Sequence, residues 1–275
     1  MKAGGLYVVS TPIGNLGDIS ARALETLRAV DLICAEDTRH TRQLLAHFGI
    51  ERPLQALHEH NEAAQAAALV TRMQAGERMA LVSDAGTPLL SDPGFRLVRA
   101  AREAGLTVSP VPGASALLAA LAVSGLPCDR FCFEGFLPAK GAARRERLAV
   151  LASEARTLVC YESAHRISET LDDCVTVFGG ERPAALAREL TKLFETVLTG
   201  TLQDVRTRVQ SDPDQRRGEF VLMIAGVEDD LAARTLEGRR LYARLAEHLP
   251  PAKAARLAAE LSGAPRKALY GGGEE

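Results

Sequence analysis

The first half of the chain repeats one rhythm: a short apolar run, a polar turn, then apolar positions spaced three and four apart. Leu6-Tyr7-Val8-Val9, Leu32-Ile33-Cys34-Ala35, Met79-Ala80-Leu81-Val82 and Leu106 to Val111 are the apolar runs. Continuous runs of this length belong to strands buried on both faces. Helical spacing appears at Ala23, Leu24, Leu27 and Val30, and again through Leu44, Leu45 and Phe48. It returns from Asn61 to Ala75, from Phe95 to Ala104 and from Ala114 to Val123. Gly49 and Gly76 stand where the second and third of these helices should stop. Strands alternating with helices predict a parallel, doubly wound α/β sheet.

The pattern changes at Ser124-Gly125-Leu126-Pro127. Beyond it, strands are expected at Phe131 to Phe133, Leu158 to Tyr161, Ala184 to Ala187, Thr196 to Leu198 and Phe220 to Ile224. The last two are separated by Gly200 and a helix-like stretch, which predicts a mixed sheet. The expected division is therefore an α/β domain over 1–124, a second over 125–230 and a helical module over 231–275. In that module Pro250-Pro251 breaks a helix, Ala254, Leu257, Ala258 and Leu261 resume the spacing, and Ser262-Gly263 turns into Pro265 to Tyr270. Helix, glycine turn and short basic helix form a helix-turn-helix pattern.

Charge sharpens this reading. The 275 residues carry a formal net charge of −2, yet Arg239 to Lys267 holds seven basic and two acidic side chains. Positive charge concentrated on an otherwise acidic chain points to nucleic acid. A solvated basic cap on a dimer or domain surface is the plainer alternative. Hydrophobic residues at 47% and charged ones at 25% are globular proportions. Apolar runs such as Ser115 to Val123 fall far short of the ~20 residues that span a bilayer. Met1-Lys2-Ala3-Gly4-Gly5 runs straight into a strand with no leader pattern. The five cysteines are odd in number, and no second pair accompanies Cys128 and Cys132 at zinc spacing. Free thiols, no metal site and a cytoplasmic location are expected.

Three loops follow strands of the first half: Ser10 to Asp18, Ser83-Asp84-Ala85-Gly86-Thr87-Pro88 and Pro112-Gly113-Ala114-Ser115-Ala116. In open α/β sheets ligands bind at the carboxyl ends of strands, so three such loops mark a cleft. None is a G-x-G-x-x-G or G-x-x-x-x-G-K-[ST] loop, which argues against dinucleotide and P-loop chemistry. A carboxylate, small residues and a fixed proline suit a zwitterionic or cationic ligand better than a polyphosphate. Charged clusters also follow strands at Glu36-Asp37-Thr38-Arg39, Tyr161 to Arg166 and Ala187 to Lys192. N-capping and surface ion pairing are their plain reading. A serine nucleophile beside His165 lacks the G-x-S-x-G elbow.

Together with Phe133 to Lys140 and Gly218 to Phe220, these segments resemble the small-subunit ribosomal RNA 2'-O-ribose methyltransferases. These belong to the tetrapyrrole-methylase-like (class III) methyltransferases. The resemblance runs from about Leu6 to Tyr270. It implies S-adenosylmethionine as donor, held folded in a cleft between the α/β domains of a homodimer. It implies transfer to the ribose 2'-hydroxyl of a cytidine in the decoding region, on ribosomal RNA or the 30S particle, with no membrane involved. Carried over by position, the donor site comprises Pro12, Asp84, Gly86, Pro88, Ser115, Ala116, Tyr161, Ala187 and Gly218.

A ribose hydroxyl is a poor nucleophile until its proton is leaving, so a carboxylate base or a cation facing the alkoxide is required. Glu36, Asp37, Glu189 and Lys192 are the candidates. Arg39, Arg166, Arg188, Arg256, Arg266 and Lys267 are expected to hold RNA. A tetrapyrrole or diphthine-type methyltransferase would share the cleft without needing the basic module. A non-catalytic RNA-binding protein would need the module and not the cleft.

Overall fold

The computed structural model describes residues 4–227 and 231–269. Residues 1–3, Tyr270 and the 271–275 tail lie outside the described residues. The chain divides into two compact units between Ala225 and Gly226.

In the first unit, β1 (Gly5–Val9), β2 (Leu32–Ala35), β3 (Leu54–Ala56), β4 (Arg78–Val82) and β5 (Thr107–Val111) make a sheet of order β3-β2-β4-β1-β5. Every pairing in it is parallel. The connections are helical: α1 (Ala21–Ala29), α2 (Thr38–His47), α3 (Glu59–Gln74) and α4 (Phe95–Glu103). Strand alternation sorts the core onto two faces. Met79 and Leu81 pack with Leu69 and Met73 of α3 and Leu97 of α4, while Ala80 and Val82 pack with Leu27 of α1 and Leu45 of α2. The doubly wound expectation is met. Ser20 and Asp37 cap α1 and α2, accepting from the Ala23 and Arg39 amides at 3.1 and 2.8 Å.

Five further strands form the second sheet: β6 (Phe131–Phe136), β7 (Thr157–Ser163), β8 (Pro183–Arg188), β9 (Thr196–Thr201) and β10 (Glu219–Ile224). The order is β6-β7-β10-β8-β9; β6 and β7 are parallel and the remaining pairs antiparallel, so the sheet is mixed. One face packs on α6 (Gly141–Leu151), α7 (Ile167–Phe178) and α8 (Leu202–Ser211). The other receives α5 (Ala116–Ser124), whose Leu117, Ala120 and Leu121 meet Val159, Ala185, Val221 and Met223. The last helix of the first half thus covers the second sheet, and both sheets belong to one compact unit.

Apolar spacing did not reveal β3, α6 or α7. β3 is three residues long, too short to show a period. In α6 an inward position is held by Arg144, which is 1% exposed and bonds to Asp173 at 2.6 Å with Glu169 at 3.4 Å. α7 follows directly on the charged Tyr161 to Arg166 segment.

The second unit contains α9 (Leu231–Ala246), α10 (Pro251–Ser262) and α11 (Arg266–Leu269). Ala258, Ala264 and Leu269 form its core with Leu241, Tyr242 and Leu245. The turn at Gly263 joins α10 to α11 as the sequence pattern predicts. Among the described residues no helix is long and apolar enough to cross a membrane.

Removing one partner of a buried ion pair leaves a charge uncompensated. Asp173→Ala should lower the unfolding free energy by about 3 kcal/mol, the residual Glu169 contact limiting the loss. Urea denaturation followed by circular dichroism checks this.

Candidate active site

Three loops from the carboxyl ends of β1, β4 and β5 are tied into one shelf. Thr11 and Gly86 exchange backbone hydrogen bonds at 2.8 and 3.1 Å, an isolated antiparallel bridge between loops that leave parallel strands. Thr87 Oγ1 lies 2.9 Å from Ser10 Oγ and donates to the Ala114 carbonyl at 3.0 Å. The shelf forms one wall of a cleft of about 340 Å³. The second sheet supplies the facing wall through Tyr161, Ala187, Leu190, Gly218 and Phe220. A volume of this size, with mostly apolar walls and a few charged groups, suits a small organic ligand.

The cleft gathers six of the nine expected donor residues: Asp84, Gly86, Ala116, Tyr161, Ala187 and Gly218. Pro12 and Pro88 are buried and do not line it. Ser115, one residue from Ala116, is buried, and its Oγ has no hydrogen-bond partner. Tyr161 is fixed by edge-on contacts with Phe133 and Phe136, at centroid distances of 4.9 and 5.7 Å. Burial pushes its hydroxyl above the ordinary tyrosine value.

Of the four expected catalytic groups, Lys192 lines the cleft. Its Nζ donates to Glu189 Oε1 at 2.9 Å and Glu219 Oε2 at 2.8 Å. Burial alone would lower its pKa, but the two carboxylates outweigh burial and raise it. Burial likewise works against the Glu189 anion and is overcome by Lys192 and the Glu219 amide, leaving Glu189 below its usual range. The pair is a fixed cation with its counter-ions. Glu189 and Thr191 both hold left-handed backbone conformations, with φ 50° and 67°. Strained non-glycine residues cluster at ligand clamps.

Glu36 and Asp37 stand outside the cleft lining. The Asp37 amide donates to Asp84 Oδ1 at 3.0 Å, so this corner holds the wall in place. Hydrogen bonds from Arg39 hold the Asp37 carboxyl far below the usual carboxylate range, which makes it a weak base. Burial, then the charges of Asp84 and Asp37, raise Glu36.

The arginines separate into two groups. The Arg39 side chain is 84% exposed. Arg188 is buried, donating to the Arg217 and Phe194 carbonyls at 2.6 and 2.8 Å; Arg166 donates to Leu137 and Pro138 carbonyls and pairs with Glu162. Both brace the fold where phosphate clamps were expected. In the second unit Arg256, Arg266 and Lys267 are exposed, Arg256 pairing with Glu260 at 3.2 Å and Arg266 donating to the Ala252 carbonyl at 3.3 Å.

The structure adds lining residues that motif reading passed over, among them Leu90 and Asp92. Leu90 and Asp92 fall in Leu89-Leu90-Ser91-Asp92-Pro93-Gly94, which reads as an ordinary turn-rich connection. Among the described residues no group of three His, Cys, Asp or Glu side chains is placed to hold a metal ion.

A family model described as Tetrapyrrole (Corrin/Porphyrin) Methylases matches residues 5–206. The chain belongs to this family. Its members are methyltransferases that use S-adenosylmethionine, and the cleft fits that donor: small residues at Ala116, Ala187 and Gly218, apolar walls, and carboxylates on the lining to suit a cationic ligand. A second model, described as RsmI C-terminal HTH domain, matches residues 232–271. The chain is 66% identical over 269 residues to a Xylella fastidiosa (strain Temecula1) protein named ribosomal RNA small subunit methyltransferase I, covering 98% of each chain. A Pseudomonas aeruginosa protein of the same name is 54% identical, with 98% of this chain and 96% of that one covered. Among solved structures, uroporphyrin-III-C-methyltransferase from Thermus thermophilus superposes with a TM-score of 0.56 at 22% identity, over 81% of this chain and 94% of that one. That likeness shows a shared fold.

A Cβ at Gly218, where φ is +96°, would overlap the Glu189 carboxylate. Gly218 itself lines the cleft, so Gly218→Ala should shift this stretch of the wall away from Glu189 and weaken donor binding by at least about tenfold, or ~1.4 kcal/mol. Calorimetric titration with S-adenosylmethionine, beside an unchanged far-ultraviolet spectrum, checks this.

Proposed function

We propose that the chain methylates the ribose 2'-hydroxyl of a cytidine in the decoding region of small-subunit ribosomal RNA, as free RNA or in the 30S particle. The observation that carries this reading is the joining, in one chain, of a methylase cleft to a C-terminal unit of the RsmI type. Near-full-length identity to proteins named ribosomal RNA small subunit methyltransferase I supports it. The 2'-hydroxyl, the cytidine and a homodimeric acting form follow from the sequence resemblance. In this reading residues 1–124 carry the acceptor side and part of the donor site, 125–230 complete the donor site, and 231–275 engage RNA.

The bound donor supplies an electrophilic methyl with a good leaving group, so positioning and exclusion of water supply most of the acceleration. The bridged loops and the Tyr161 wall hold the geometry. Lys192, kept as an ammonium by Glu189 and Glu219, serves as the positive charge facing the alkoxide that develops on the acceptor. Arg39, exposed though paired with Asp37 at 2.8 Å, is the guanidinium that would meet a backbone phosphate.

Labelled donor with 30S particles from cells lacking the protein tests the reading. One cytidine should gain resistance to alkaline cleavage at its ribose, while uroporphyrinogen takes no label. Label on uroporphyrinogen, or none on RNA, overturns it. Lys192→Ala should slow single-turnover transfer by roughly 10²–10³-fold, with donor affinity changed less than about threefold. Reversing Arg256 and Lys267 to glutamate should weaken RNA binding and flatten the salt dependence of log K by roughly one per residue, read by filter binding across a salt series.

A further inference from the structure

Six ionisable side chains line the cleft: Asp84, Asp92, Tyr161, Glu162, Lys192 and Glu219. Five of them have settled partners. Glu162 is 2% exposed, accepts from Thr170 Oγ1 at 2.7 Å and the Ser163 amide at 2.8 Å, and pairs with Arg166 at 3.3 Å. Lys192 and Glu219 are paired with each other. Asp84 accepts the Asp37 amide. Tyr161 packs edge-on against Phe133 and Phe136, and burial keeps its proton in place.

Asp92 differs. It sits half-buried on the connection between β4 and α4, where Leu89 and Ser91 hold left-handed conformations with φ 76° and 69°. Backbone strain in this loop places a carboxylate on the cleft wall, a placement that packing alone does not call for. The nearby Ser83 hydroxyl donates to the Ala85 and Gly86 carbonyls at 3.3 and 3.4 Å, and among the described residues no cation pairs with Asp92. The charges that act on it are Glu36 from the end of β2 and Asp84 from the loop after β4; Asp92 in turn acts on Tyr161 of β7, and Asp37 and His58 face Glu36. Burial first, then the Glu36 charge, raises its carboxyl to about 6. A base of that strength is ionised at neutral pH yet accepts a proton more readily than an ordinary aspartate.

We propose that Asp92 is the proton acceptor for methyl transfer, touching the acceptor hydroxyl from the shelf side of the cleft. As the hydroxyl oxygen forms its bond to the methyl carbon, its proton passes to the Asp92 carboxylate. The electron pair of the breaking S–C bond stays with sulfur, so a sulfonium and a carboxylate become a neutral thioether and a carboxylic acid. Lys192 meets the charge on oxygen before the proton is fully gone. Glu36 is a positioning residue that sets the strength of the base without lining the cleft. The inference rests on the reading that the acceptor is a ribose hydroxyl.

Asp92→Asn tests it. Single-turnover transfer to 30S particles should fall by roughly 10²–10⁴-fold, the span of general-base catalysis. Donor affinity by calorimetry should stay within about twofold. The thermal midpoint at pH 8 should be equal or higher: a raised carboxyl pKa opposes folding above that pKa, so removing the charge relieves the penalty. In the wild-type protein the rate should rise through about pH 6 to a plateau, and the carboxyl ¹³C resonance of Asp92 should titrate in the same region. Glu36→Gln should move both to lower pH. Transfer by Asp92→Asn within threefold of wild type overturns the proposal. A loss confined to donor affinity also overturns it, and makes Asp92 a donor ligand. An Asp92 resonance that titrates near 4, or does not move in Glu36→Gln, overturns it without reliance on the Asn variant. Failure of the wild-type protein to methylate ribose would instead defeat the functional reading beneath it.

Discussion

The donor cleft depends on the two backbone hydrogen bonds between Thr11 and Gly86. Their loops leave neighbouring parallel strands and turn to meet each other antiparallel, so neither is free to lie back over its own strand. Thr87 carries the tie onward to Ser10 and to Ala114, which leads into α5. The loops satisfy one another's polar groups, and what they offer to the cleft is a shaped, largely apolar surface. A ligand entering it meets geometry already fixed in folding, which lowers the ordering cost of binding.

Charge is divided between two places. The cleft lining is acidic, with Asp84, Asp92, Glu162 and Glu219 against Lys192, and Arg166 offsets Glu162. The C-terminal unit carries the opposite balance, from Arg239 to Lys267. Its basic side chains stand exposed on short helices packed around Ala258, Ala264 and Leu269.

The parallel sheet was legible because its strands are buried on both faces and therefore read as unbroken apolar runs. The second sheet was legible strand by strand, but α6 was not, because Arg144 occupies a core position that periodicity assigns to an apolar side chain. Loop positions at strand ends located the cleft, and most of the carried-over donor residues meet there. The arginines were harder. Exposure decides whether a guanidinium can hold phosphate, and nothing in the local sequence shows that Arg188 turns inward to the Arg217 and Phe194 carbonyls. Asp92 was missed because its importance comes from Glu36, 56 positions earlier, and from a wall contributed by the second sheet.

α5 has an order-of-events consequence. Its Leu117, Ala120 and Leu121 have no partners in the sheet that precedes them; they pack on strands ending with Ile224. During synthesis the first five strands can pair as soon as they emerge, yet this helix stays greasy and uncovered until about a hundred more residues have followed it. Translation speed across that interval, and whatever shields the bare helix meanwhile, therefore bear on yield without altering a single native contact.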